Sequence, residues 1–276
     1  WPHTPDGMRN SLKLLLEQAG QGPELMALTS VQFFIFDTPH LVIDGKLKQF
    51  AQRGRTRKMP EFLAYLMLEG QNNGCRWDEV SAAIWPELET SRASASFHQT
   101  IKRIRDAIFD DPDCIITRDD YYQINPKYLN WCDAVTFERL NERIIAASPR
   151  EALTLQRELI ALYRGEFLAG FEVGEWGMTR RAAYEAQFLQ MVNLASKQLL
   201  NRGNPQEALA IINKGLAQDY FREDLHQYAL QAYAQMELYD HLAAHYAESS
   251  QMFNREFNAP LDSSTTQLYQ QLMARR

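Results

Sequence analysis

At 276 residues, with 45% hydrophobic and 23% charged side chains, the chain is sized for two or three domains with proper cores and is not a disordered polymer. A net charge of -6 gives no whole-chain mark of nucleic-acid binding, and Cys75, Cys114 and Cys132, odd in number and without a CxxC spacing, argue against a zinc site or disulfide framework and fit a reducing compartment. No apolar run approaches the roughly 18–20 residues that cross a bilayer; the polar start, Trp1 to Pro5, shows neither a signal peptide nor an initiator Met and reads as part of a longer protein.

Residues 1–30 hold one predicted helix, about Met8 to Ala19, with Leu12, Leu15 and Leu16 on one side, and otherwise read as a linker or the end of a preceding domain. At Val31 the pattern changes. Val31 to Phe36 is β-prone, Leu41 to Ile43 is a second strand ended by the hairpin signal Asp44-Gly45, and Leu47 to Phe50 is a third. Gly45 to Pro60 contains six Lys or Arg and no acid, so the acidic balance of the whole chain conceals a basic patch.

Helices follow. Met59 to Glu69 places Phe62, Leu63, Leu66 and Met67 inward, and Trp77 to Trp85 is a second helix with Asp78 at its N-cap and Pro86 as its stop. Arg92 to Ile108 is the third. Phe97, Ile101, Ile104 and Ile108 recur at steps of four, three and four and share one face, while Arg92, Gln99 and Arg103 point away with Lys102 beside them and His98 and Arg105 at the border. Taken alone, such a helix is an ordinary amphipathic one with a solvated basic face. Its lack of any acid from Arg92 to Arg105 and its neighbours point instead to a polyanion. Cys114 to Thr117 and Tyr121 to Ile124 are then two strands joined by Arg118-Asp-Asp120.

Three strands, three helices and a hairpin make a winged helix-turn-helix with an N-terminal sheet. Residues 31–128 resemble the OmpR-type winged-helix domain, through Arg57 to Leu66, Trp77 to Pro86, the Arg103-Ile-Arg105 centre of the third helix, and Ile116 to Ile124. Where that family's wing carries a Thr-Arg-Gly-x-Gly-Tyr run, this chain has Asp119-Asp120 in place of the glycines.

Residues 131–276 read as all helix, opening at Asp133 and Pro149 and continuing over Trp176 to Gln198, Pro205 to Gln218, Arg222 to Glu237, Tyr239 to Phe253 and Ser264 to Met273. Gly203 to Ala208 and Leu238 to Ala243 align at an offset of 35, close to the tetratricopeptide period, with Ala208 and Ala243 as the small residues of close helix pairs. Leu162-Tyr-Arg-Gly-Glu-Phe-Leu-Ala-Gly-Phe171, followed by Trp176, resembles a motif of the bacterial transcriptional activator domain. The two modules in this order resemble the Streptomyces antibiotic regulatory protein (SARP) family of activators. The fold class expected is therefore an α+β winged helix followed by an all-α, tetratricopeptide-like repeat domain.

The resemblance implies a sequence-specific transcriptional activator of the bacterial cytoplasm, reading double-stranded DNA as direct repeats, with RNA polymerase components or a second copy of the chain as further partners and no membrane. With the third helix in a major groove, Lys102 and Arg103 suit guanine, Gln99 adenine, His98 either, and Thr100 completes the set. Arg92, Arg105, Arg55, Arg57 and Lys58 are the phosphate candidates, and Thr117, Arg118 and Tyr122 those of the wing. Phe167, Phe171 and Trp176 read as a buried seam between modules. His241 and His245, four apart, suit a solvated or capping role better than a metal, and the Asp110 to Asp113 run suits a loop. No phosphate loop, nucleophile elbow or dinucleotide fingerprint occurs, so no enzyme, cofactor or metal is expected. The rival is a non-enzymatic scaffold built on the repeats.

Overall fold

A computed structural model describes residues 30–54, 57–71, 73–128 and 131–275. The helix expected over Met8 to Ala19 lies outside them, as does the linker reading of residues 1–30 apart from Ser30. Val31–Phe34 (β1), His40–Ile43 (β2) and Lys46–Gln49 (β3) form an antiparallel meander. Asp44 and Gly45 turn β2 into β3 at φ of 50° and 78°, the left-handed pair that a two-residue hairpin loop demands. Pairing Ile43 with Lys46 across that loop starts β3 one residue before the expected Leu47.

Met59–Leu68 (α1), Trp77–Ile84 (α2) and Thr90–Arg103 (α3) are the three helices of the first module. Pro60 sits in the first turn of α1, where a missing N–H costs nothing. A strand absent from the sequence reading, Cys75–Arg76 (β4), precedes α2. It pairs with Tyr121–Ile124 (β6), which also pairs with Ile115–Arg118 (β5), giving a three-stranded sheet in the order β4-β6-β5. That pairing draws the head of α2 back to Trp77. Arg76 therefore holds the N-cap position expected of Asp78, and the Glu79 carboxylate accepts the Arg76 N–H at 2.9 Å.

A second unforeseen strand, Trp131–Cys132 (β7), lies parallel to β1 and completes a four-stranded sheet in the order β3-β2-β1-β7. The helical half then runs through Asp133–Ala146 (α4), Pro149–Leu162 (α5), Glu175–Asn201 (α6), Pro205–Gln218 (α7), Glu223–Gln235 (α8), Tyr239–Phe257 (α9) and Ser263–Met273 (α10). Each helix from α4 to α9 packs on the next, α6 also reaches α8, and α10 closes on α8. Close approach is written into α7: a Cβ at Gly215 would lie 2.6 Å from Leu225 and 2.8 Å from Val192. Ala208 is wholly buried in the same packing, whereas Ala243, nearer the end of the array, is half-buried.

The two halves share one core. Phe36 of the first sheet packs against Phe137, Tyr163 and Tyr184 of the helical half, at centroid distances of 5.3, 5.0 and 5.2 Å. Residues 163–174, irregular in sequence, form a loop that adds backbone bonds to the sheet: Leu168 N–H to Ile35 O and Asp37 N–H to Glu166 O, both 2.9 Å. Arg181 on α6 holds this loop from the other side, donating to the carbonyls of Phe167, Leu168 and Phe171 at 2.7–2.8 Å. Phe167 and Phe171 are buried and Trp176 half-buried against Tyr65 of α1, which is the inter-module seam expected of them.

Two buried carboxylates fix the junction. Asp133, 1% exposed, accepts the N–H groups of Ile35 and Ala134 at 2.8 Å and of Phe36 at 3.1 Å, and pairs with Arg164 at 3.2 Å. Glu61, also 1% exposed, accepts the Gly174 N–H at 2.6 Å and pairs with Lys58 at 2.9 Å. Burial raises both carboxyls above the usual range, Asp133 to about 6, against the pull of these donors.

Replacing Asp133 with Ala leaves two buried N–H groups of the sheet and the Arg164 cation without their acceptor, and a loss of roughly 3 kcal/mol is expected in urea denaturation. Because its folded pKa near 6 exceeds the value of 3.8 for a free carboxyl, the folded state takes up a proton as pH falls from 6 towards 4. Wild type should therefore gain stability relative to Asp133→Asn across that window; a flat difference would contradict the assignment.

Candidate nucleic-acid interface

The third helix is two-faced. Phe97 and Ile104 are fully buried and Ile101 and Ile108 nearly so, with the Phe97 ring 5.3 Å from Phe62 of α1 and 4.7 Å from Tyr122 of β6. Arg92, His98, Gln99 and Lys102 are exposed, and Arg103 is half-buried. The His98 ring makes T-shaped contacts with Phe97 at 5.3 Å and with Tyr122 at 6.4 Å. Past Arg103 the helix widens into a π-helical turn, Ile104–Phe109, closed by Asp110 at φ 51°.

Beside this face stands the β5–β6 hairpin. Asp119 and Asp120 occupy its turn at φ of 51° and 63°, left-handed conformations that glycine adopts more readily. Thr117 and Arg118 are exposed, and the Arg118 side chain, 88% exposed, lies 3.9 Å from Asp119. Tyr121 is the exposed tyrosine of the hairpin, which the sequence reading missed. With Asn73, Ile116, Arg118, Asp119 and Gln123 it lines an open cleft of about 450 Å³. The signal for it was strand alternation: Tyr122 and Ile124 go to the core, so Tyr121 and Gln123 must face out.

Four expected contact residues are placed otherwise. Thr100, 5% exposed, lies on the apolar arc and donates its hydroxyl to the Ser96 carbonyl at 2.8 Å. Tyr122, 8% exposed, is packed on Phe97 in the core. Arg105 is half-buried and donates to the Ile115 carbonyl at 2.7 Å. Lys58 is committed to the buried Glu61. Arg57 lies 3.3 Å from Glu172 in an exposed pair, a contact worth at most about 1 kcal/mol and readily exchanged. Arg55 lies outside the described residues.

The other candidates are structural. Burial lifts the Cys75 and Cys114 thiols to about 12 and about 11, which keeps them protonated. His245 is half-buried rather than solvated, its Nε2 2.9 Å from Nδ1 of the buried His226, while His241 is exposed and stacks on Tyr233. Asp110 to Asp113 form the expected loop, in which Asp111 caps a 3-10 turn and is held at about 2 by Lys127, Tyr128 and the Asp113 amide. Among the described residues, no three or more His, Cys, Asp or Glu come together as a metal site, and no helix is long and apolar enough to cross a membrane.

Comparison with known proteins gives a family and a fold. The model of the bacterial transcriptional activator domain matches residues 132–273. No curated protein matches the chain. Among solved structures, Mycobacterium tuberculosis EmbR in complex with a low affinity phosphopeptide is similar, with a TM-score of 0.63 at 16% identity over 90% of this chain. This chain spans 66% of the length of that one. At such identity the likeness shows the fold, that of a winged helix followed by a helical repeat.

Truncating the buried Phe97 to Ala should cost roughly 3–5 kcal/mol in thermal or chemical unfolding, whereas Lys102→Ala should stay within about 0.5 kcal/mol of wild type. Equal losses would mean that α3 is not the two-faced helix described.

Proposed function

This chain belongs to the bacterial transcriptional activator domain family and has the domain order of a SARP-type transcriptional regulator; on that premise we propose that it binds duplex DNA sequence-specifically and activates transcription. The observation that carries the reading is the exposed, acid-free face of α3, with Arg92, His98, Gln99 and Lys102 standing on a buried row of Phe97, Ile101 and Ile104 beside an exposed hairpin. A major groove about 12 Å wide accepts one such helix.

Lys102 and Arg103 read guanine, Gln99 reads adenine, and His98 reads either. Arg92 and Arg57 hold phosphates. On the hairpin, Thr117, Arg118 and the exposed Tyr121 approach the adjacent minor groove. Residues 31–128 constitute the DNA-binding module. Residues 131–276 serve dimerisation or contact with RNA polymerase components, and the sites are direct repeats in a bacterial cytoplasm.

Selection from a random duplex library at low salt tests the reading and returns the site and its repeat spacing. Wild type should enrich one motif, and Lys102→Ala with Arg103→Ala should retain binding without the preference. Enrichment of no duplex at all would favour a protein-binding scaffold instead. In titrations across salt, Arg92→Ala should lower the slope of log affinity against log salt by about 0.9, the share of one phosphate.

A further inference from the structure

Arg105 has the charge and sequence position of a phosphate contact, and the structure gives it another task. Its guanidinium is wedged between the end of α3 and the base of the hairpin, with Nη2 donating to the Ile115 carbonyl at the first residue of β5. Its Nε is buried and has no hydrogen-bond partner among the described residues. Nearby lie the buried Cys114 thiol and the Tyr122 ring, both of which feel its charge. Its own carbonyl closes the π-helical turn, accepting the N–H groups of Asp110 and of Asp111, the latter at 3.1 Å.

From Asp111 the network continues to the other strand. The Asp111 carboxylate accepts from Lys127 at 2.7 Å, from the Asp113 N–H at 2.7 Å, and from the Tyr128 hydroxyl. Asn125, at the exit of β6, donates its N–H to the Cys114 carbonyl at 2.9 Å and its side-chain amide to Asp113 at 3.0 Å. Both ends of the hairpin are thus pinned to the end of the recognition helix.

We propose that Arg105 is a positioning residue for DNA binding, which sets the hairpin against α3 so that Arg118 and Tyr121 meet the duplex while Arg92, Gln99 and Lys102 occupy the groove. The inference rests on the DNA-binding reading above and adds a division of labour within the basic helix. Arg105 acts through the hairpin and touches no phosphate. A side chain anchoring two elements with one directed bond to a carbonyl works by geometry, so a lysine, with its single point charge, does not replace the planar fork.

The test compares Arg105→Gln and Arg105→Lys with Arg92→Gln in the full chain. In the absence of DNA, hydrogen exchange of the Thr117 to Gln123 amides should quicken in both Arg105 variants and be unchanged in Arg92→Gln, while the α6–α8 amides stay protected in all three. Unchanged exchange in the hairpin would overturn the proposal. In binding titrations Arg105→Gln should weaken affinity roughly tenfold at an unchanged salt slope, while Arg92→Gln should lower the slope by about 0.9. Adding Arg118→Ala to Arg105→Gln should then cost less than Arg118→Ala alone, because the hairpin is already misplaced. A slope lowered by about 0.9 in Arg105→Gln would make it a phosphate contact and overturn the positioning role alone. Absence of any duplex binding by wild type would overturn the DNA-binding reading itself, whatever the exchange result.

Discussion

A single buried carboxylate joins segments that lie far apart in the chain. Asp133 takes N–H groups from residues 35 and 36, heads the helix that begins the repeat half, and holds Arg164 at the start of the irregular loop. A charge at 1% exposure is tolerable only when every lone pair is engaged, so the three segments are obliged to converge on it. Parallel pairing of β7 with β1 follows directly, since Asp133 immediately succeeds Cys132 and cannot reach the Ile35 and Phe36 amides unless residues 131–132 run alongside β1. The first sheet thus draws its fourth strand from beyond the winged helix. Glu61 repeats the logic one layer away: it lies on α1 and grips the Gly174 amide at the head of α6. The helix-turn-helix is therefore mounted on the repeat array through buried contacts.

Magnitudes decide which cations remain for a partner. Lys58 neutralises a carboxylate that the fold has already buried, and withdrawing it would leave that charge uncompensated at a cost of several kcal/mol. No phosphate contact in water repays that. Arg57 and Glu172 are both more than half exposed, so their attraction is screened and either can exchange partners at little cost. The basic run before α1, continuous in sequence, is thereby divided into a structural cation and an available one. A similar division separates Arg105 from Arg92 and Lys102 on the helix itself.

Periodicity made α3 and the repeat helices legible, because a long amphipathic segment repeats its signal over several turns. Its four apolar positions all reached the core. Strands β4 and β7 were not legible: at two residues each they have no alternation, and only long-range pairing creates them. Thr100 was misread because its hydroxyl outweighed its place on the wheel, three residues after Phe97 and four before Ile104, inside the apolar arc. Tyr122 was misread in the same way, although Ile124, two residues on and paired with Ile115, already set the inward face of β6. Arg105 is different in kind. Periodicity placed it correctly at the border of the apolar face, but its bond to the Ile115 carbonyl depends on how the hairpin packs against the end of the helix, which no helical period encodes.

The hairpin turn bears on where specificity can reside. Two aspartates accept the left-handed backbone that glycine would take more cheaply, so the turn keeps its shape while gaining two negative charges at its tip. One of them lies 3.9 Å from Arg118, the cation nearest that tip. The net field of the hairpin is consequently weak, and a polyanion would find its attraction mainly along α3, where no acid intervenes from Arg92 to Arg105. On the proposed reading, the hairpin then serves as a shaped flank with its own cleft and tyrosine, and discrimination between sequences rests on the helix. An anchored hairpin suits that arrangement, because a weakly attracted element contributes only when it is held in place before the partner arrives.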